Sequence, residues 1–97
     1  MEWTFSGRLI EWRGPSPYYF VPMTDEDSED LKQAARGLEY WGQVAVDAAI
    51  GETSFRTALF PKDGRYLLPV RQAVRLAEGI GENDVVSVRL RLRGRAG

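Results

Sequence analysis

The sequence predicts one mainly-β domain with two short helices, built as a single layered or barrel-like unit, and three observations carry this. The chain has 97 residues, a length that supports one hydrophobic core and no second. Most of its apolar residues fall in short alternating, β-branched or aromatic runs bounded by Gly, Pro, Asn and Asp, the pattern of strands and turns. Two segments instead space aliphatic residues at i, i+3, i+4 and i+7, the period of a helix face. With 43% hydrophobic and 28% charged residues the composition is that of a globular protein.

Taken in order, residues 2 to 13, "EWTFSGRLIEWR", read as a long strand with Gly7 as a bulge or sharp bend. "GPSP" breaks it, and "YYFVPM", residues 18 to 23, is the return strand of a hairpin that stops near Pro22. In "TDEDSEDLKQAARGL" the residues Leu31, Ala34, Ala35 and Leu38 share one helical face. Ser28 or Asp27 is the expected N-cap, with acids in the first turn and Gly37 near the end. "YWGQVAVDAAIG" and "ETSFRTALF" are two strands joined at Gly51-Glu52, with Phe55, Thr57 and Leu59 on one face and Ser54, Arg56 and Ala58 on the other.

The segment "LFPKDGRYLLPV" is a hairpin: Phe60 ends a strand, Pro61 to Gly64 turn, and the next strand returns. Val70, Ala73, Val74 and Ala77 mark a second helix, with Pro69 at its start and Gly79 past its end. "GENDVVSVRLRLRGRAG" closes the chain with a turn and a strand. That strand faces Val86, Val88, Leu90 and Leu92 one way and Ser87, Arg89, Arg91 and Arg93 the other.

The chain has no Cys and no His. This excludes disulfides, thiol nucleophiles, Ser-His and Cys-His triads, and zinc sites of the usual N/S type. A reaction would have to run on carboxylates, Lys62, tyrosines or an oxygen-ligated metal, and no cofactor is expected. The acidic run from Asp25 to Asp30 fails the EF-hand pattern, because positions six and twelve counted from Asp25 are Asp30 and Arg36. No signal-like segment or apolar span is present, so a cytoplasmic protein with no membrane association is expected. Net charge is −1, yet residues 1–50 carry −5 and residues 51–97 carry +4. The molecule is electrically two-sided unless the fold interleaves the halves.

The segments "GPSPYYFVP", "LFPKDGRYLLPV" and "RQAVRLAEGIGENDVVSVRL" together resemble a bacterial and archaeal family, the Domain of Unknown Function family nineteen-oh-five. The resemblance covers nearly the whole chain, and its most specific part is Phe-Pro-x-x-Gly-x-Tyr-x-Leu-Pro-Val followed by a Gly-x-x-Asp-x-Val turn. The resemblance implies a single small closed or split β-barrel of about six strands with two short helices. It also implies relatives that occur alone or joined to a domain likened to bacteriocin-protection and OmpD-associated proteins. The order Leu68-Pro69, helix, Gly81 to Val88 is similar to the swapped-hairpin DNA-binding domains of the AbrB type. Here the turn reads Gly-Glu-Asn-Asp rather than adjacent Gly-Asp and extra strands are present, so no DNA-contact residue transfers.

Two candidate sites follow. The first is a ligand site at the mouth of the barrel made of Tyr40, Trp41, Tyr66, Lys62 and Arg65. It draws on an aromatic set that also includes Trp3, Trp12, Tyr18 and Tyr19 and whose default role is core packing. Lys62 and Arg65 could meet a phosphate, but the lone Gly64 cannot form an extended N–H cradle, and a plain turn is the expected role of residues 61 to 65. The second is a stripe of Arg89, Arg91, Arg93 and Arg95, about 6.6 Å apart along the strand, near the per-strand phosphate spacing of nucleic acid. Its rival reading is polar cover on a half-exposed edge strand, and the near-zero net charge also speaks against a dedicated nucleic-acid binder. The functional expectation is a non-enzymatic binding module acting through a protein partner or a small ligand, as a monomer or homodimer. The alternatives are a nucleic-acid-binding domain using the arginine stripe and an enzyme using carboxylates or Tyr66 and Lys62.

Overall fold

The computed structural model describes residues 2–14, 18–39 and 42–93. Along the chain it holds β1 (Glu2–Arg8), β2 (Ile10–Trp12), β3 (Tyr18–Pro22), α1 (Asp25–Ala34), β4 (Val44–Ile50), β5 (Thr53–Lys62), β6 (Arg65–Pro69), α2 (Gln72–Glu78) and β7 (Val85–Leu92). The strands form an antiparallel sheet in the order β1-β7-β4-β5-β6-β3-β2. Its two ends, β1 and β2, are consecutive in sequence and separated only by Leu9. One bent strand therefore serves both ends, and the curled sheet is a split barrel. This is why six strand-like segments in the sequence give seven strands.

The bend is at Leu9 and not at Gly7. Leu9 is fully buried, its N–H donates to the Asp84 carbonyl (2.9 Å), and its carbonyl accepts from the Asn83 N–H (2.7 Å). The Gly-Glu-Asn-Asp turn is shaped for this contact: the Asp84 carboxylate accepts from the Gly81 N–H (2.8 Å) and Asn83 sits at φ 76°. Gly7 pairs in regular register with Val86. Its missing side chain has a different use, because a Cβ there would lie 2.7 Å from Val21 Cγ1 and 2.8 Å from the Pro22 carbonyl oxygen. The glycine lets β1 cross closely over β3, where any side chain would hold the two strands apart.

Strand β5 makes the second corner. Thr53 to Leu59 pair with β4, whereas Phe60 to Lys62 pair with β6. The β5–β6 connection is the two-residue turn Asp63-Gly64 with both φ angles positive, 54° and 82°, the twist-matching hairpin geometry that Asp-Gly favours.

Helix α1 starts one residue after Thr24, whose Oγ1 accepts from the Asp27 N–H (3.0 Å). The cap is thus Thr24, and neither Ser28 nor Asp27. Ser28 lies one turn in, buried, where its hydroxyl accepts from the Tyr66 N–H (3.0 Å) and ties the helix to β6. Leu31 and Ala35 are buried and Ala34 half-buried, so these residues of the predicted apolar face meet the core, whereas Leu38 lies in the turn beyond the helix, which ends at Ala34. In α2 only Val74 is buried; Ala73 and Ala77 are exposed. Pro69 ends β6 rather than opening this helix, and Arg71 caps it without a side-chain bond. Gly79 ends it in the left-handed conformation (φ 64°), as the sequence predicts. The last residue of α2, Glu78, accepts from the Thr53 hydroxyl (2.5 Å) and so holds the β4–β5 turn.

Tyr66 points into the core and is 7% exposed. Burial, then the Glu39 and Glu29 carboxylates, push its hydroxyl above the ordinary value of 10.0. The unfolded chain loses this proton near 10.0 and the folded chain only at higher pH. The stability that protonated Tyr66 contributes is therefore complete below pH 10 and is lost as pH rises through the folded value. Urea titrations at pH 9 and pH 11 are expected to show a larger drop in unfolding free energy for the wild type than for Tyr66→Phe; equal drops would contradict this.

Candidate functional site

The half of the barrel formed by β2, β3, β6 and the end of β5 is apolar on both faces. Inward it presents Val21 and Leu68, both fully buried. Outward, cross-strand pairing aligns Trp12 with Tyr18, Ile10 with Phe20, and Pro22 and Phe60 with Leu67. Phe20 and Leu67 are buried but lie outside the main core cluster, which makes them the centre of a second apolar group on the outer surface.

Four rings run across this surface. Trp12 and Tyr18 lie 5.2 Å apart between centroids, Tyr18 and Phe20 6.0 Å, and Phe60 meets both Tyr18 (6.2 Å) and Phe20 (6.1 Å) at tilted or edge-on angles. Trp12 is 44% exposed and Tyr18 39%. Edge-on packing holds the rings in fixed orientations and leaves their outer surfaces open to a partner. Two adjoining open depressions result. One, of about 240 Å³, is lined by the four rings with Pro61, Lys62 and Leu67. The other, of about 480 Å³, shares Phe20, Lys62 and Leu67 with it and ends on Asp25, Asp63 and Arg65.

At the polar end Arg65 Nε donates to Asp25 Oδ1 at 2.7 Å. Lys62, directly across from Arg65 on the same face, enters no ion pair among the described residues. The structure thus brings Lys62 and Arg65 together, but beside the outer aromatic face. Tyr66, on the opposite side of β6, is a core residue and shares no surface with Lys62. Tyr40 and Trp41 lie outside the described residues. A visible sequence signal marks Phe20 and Leu67: "YYFVP" and "YLLP" are unbroken apolar runs, which strands show when both faces are apolar.

The outer face of β1, β7, β4 and β5 has the opposite character. Strand β7 is interior, flanked by β1 and β4, so its arginines do not guard an edge. Across the strands Glu2, Arg91, Asp47 and Arg56 are neighbours in one row, and Thr4, Arg89, Ala49 and Ser54 in the next. Asp47 takes Arg56 at 3.5 Å and Arg93 at 3.8 Å, and Arg89 donates to the Gly51 carbonyl (3.2 Å). Arg95 lies outside the described residues. The acids of this face come from the first half of the chain and the arginines from the second, so here the fold interleaves the two halves and offsets part of their opposite charge, Glu2 and Asp47 standing among Arg56, Arg89, Arg91 and Arg93. Among the described residues no cluster of three Asp or Glu side chains could hold a metal ion, and no helix is long and apolar enough to cross a membrane.

The model of a domain of unknown function, DUF1905, matches residues 5–90. The chain belongs to this family. The match runs from Phe5 in β1 to Leu90 in β7 and so takes in Gly7, Leu9, the Gly81–Asp84 turn and the outer aromatic face. No curated protein matches the chain. In this DUF1905 domain the Gly-x-x-Asp pattern has a stated job, since Asp84 shapes the turn whose backbone clasps Leu9.

Proposed function

We propose that this DUF1905 domain is a non-enzymatic interaction module whose working surface is the outer aromatic face, and that it docks a protein segment carrying an apolar anchor next to an acidic residue. The observation that carries this reading is the exposed Trp12–Tyr18 pair seated on buried Phe20 and Leu67. Large aromatic side chains held rigid at the centre of a surface are the residue types that dominate binding energy at protein interfaces. The aromatic depression, about 240 Å³, suits one anchoring side chain, and both it and the adjoining depression of about 480 Å³ are open at the surface, whereas small-molecule sites bury most of their ligand. Lys62, which lines this depression and enters no ion pair among the described residues, favours an acid beside the anchor; Arg65 in the adjoining depression is already paired with Asp25, and Asp63 stands near both.

Selection of binders from a random peptide library on the intact chain tests this. Enrichment of a large apolar residue followed by Asp or Glu is expected, with Trp12→Ser weakening the selected peptides by roughly 30-fold or more and leaving the thermal midpoint nearly unchanged. Binders indifferent to Trp12→Ser would refute the reading. So would a retained small molecule in native mass spectra that is lost on the same substitution.

The alternative of a nucleic-acid interface on Arg89, Arg91, Arg93 and Arg95 has less geometric support. Glu2 and Asp47 flank Arg91 from the neighbouring strands, and Asp47 also pairs with Arg93 at 3.8 Å, which lowers the positive charge a phosphate would meet along β7.

A further inference from the structure

The charge row on the outer face of β1, β7, β4 and β5 has a symmetry that the single chain does not use. In order across the strands Glu2, Arg91, Asp47 and Arg56 alternate in sign, beginning negative and ending positive. Reversed, the row is its own complement. If two copies stack face to face about a two-fold axis parallel to the strands, each residue meets the one at the mirrored place in the row. Glu2 then faces the partner's Arg56, and Arg91 faces the partner's Asp47. A two-fold axis along the row would instead set like charge on like, so the charges of this row select one arrangement, while Arg89 and Arg93 in the adjoining rows leave the face as a whole positive.

Size follows the same rule as charge. In the next row the mirrored pairs are Thr4 with the partner's Ser54 and Arg89 with the partner's Ala49, so each long side chain lies over a short one. Facing sheets stack about 10 Å apart, which requires such large-on-small alternation. The space is present: an open groove of about 560 Å³ runs over Ala49 and Ser54 between Arg56, Arg89 and Arg91. Glu2 and Arg91, although direct cross-strand neighbours, enter none of the ion pairs among the described residues, whereas Asp47 and Arg56 already pair with each other (3.5 Å) and would share their charges with the partner's Arg91 and Glu2.

We infer that a second copy of this chain docks on this face as an isologous two-fold dimer held by Arg91–Asp47 and Glu2–Arg56 contacts. The aromatic face lies on the other half of the barrel and stays free in this dimer.

Sedimentation equilibrium of the full chain is the test. A dimer that loosens as salt rises is expected, and Arg91→Asp should weaken it about 100-fold, because symmetry spoils two contacts at once. Combining Arg91→Asp with Asp47→Arg makes a row that again complements itself, so the double variant should dimerise with itself and not with the wild type. The absence of Cys offers a readout that does not depend on those charge variants folding. A mixture of Thr4→Cys and Ser54→Cys chains should join through a short thiol-to-thiol linker, and neither chain alone should. A monomeric wild type, a dimer untouched by Arg91→Asp but lost on Trp12→Ser, or a mixture that fails to cross-link would each overturn the inference.

Discussion

Replacing Gly7 with valine is expected to destabilise the domain by about 3 kcal/mol or more, at the upper end of what overpacking costs. Val21 Cγ1 and the Pro22 carbonyl already stand 2.7 and 2.8 Å from where a Cβ would sit. The obstacle on one side is backbone, which cannot rotate away as a side chain can. Relief therefore requires β1 to lift off β3 at the corner where the two ends of the sheet meet. For a domain of this size such a loss lowers the thermal midpoint by roughly 12 to 24 °C, since each kcal/mol moves it about 4 to 8 °C. Differential scanning calorimetry of Gly7→Val against Gly64→Ala separates space from backbone conformation. Gly64 has a positive φ but nothing within 4 Å of a built Cβ, and its substitution is expected to cost only about 1 kcal/mol. A Gly7→Val midpoint no lower than that of Gly64→Ala would refute the close-crossing account.

Leu9→Ala is expected to cost about 3 to 4 kcal/mol, within the range for fully buried leucines. Leu9 is the pivot between β1 and β2 and is 0% exposed. Its main-chain N–H and carbonyl are both taken by the 81–84 turn, so the backbone there cannot easily move inward to fill the space. A site that relaxes poorly keeps its cavity and sits at the costly end of the range. Equilibrium urea unfolding checks this, and a loss below about 1.5 kcal/mol, the ceiling for shape-conserving swaps, would show that the corner collapses freely.

Both predictions concern a corner that the sequence marked without explaining. Gly7 in the middle of a strand-like run locally signals a bulge or sharp bend; its close approach to Val21 and Pro22 joins residues apart in sequence. The Gly81 to Asp84 turn was legible as a turn, yet nothing local to it says that its partner is Leu9. The N-cap of α1 shows the same limit on a smaller scale. Thr24, Asp27 and Ser28 are all good capping residues, and Ser28 is withdrawn from that role because the Tyr66 N–H needs a buried acceptor.

The candidate sites divide in the same way. The Asp63-Gly64 turn makes Lys62 and Arg65 legible as neighbours, since a two-residue hairpin sets them opposite each other. Tyr66, a candidate for the same site as an aromatic at the barrel mouth, is turned to the other face by the alternation of the strand. Arg89 and Arg91 point outward as the period of two requires; that they lie in mid-sheet between Glu2 and Asp47 depends on pairing with β1 and β4.

By itself the sequence determined what short-range physics controls. Periodicity set which residues are strand and which helix, Asp-Gly and Gly-Glu-Asn-Asp set the turns, and the missing Cys and His removed whole classes of chemistry. The tertiary structure alone decided which strands neighbour one another. That choice bends the first strand to serve both ends of the sheet, exposes one apolar face bearing Trp12 and Tyr18, and sets first-half acids among second-half arginines. The reason is that side-chain alternation and turn propensity act over a few residues, whereas strand order is settled by burial of a shared core, to which every segment contributes at once.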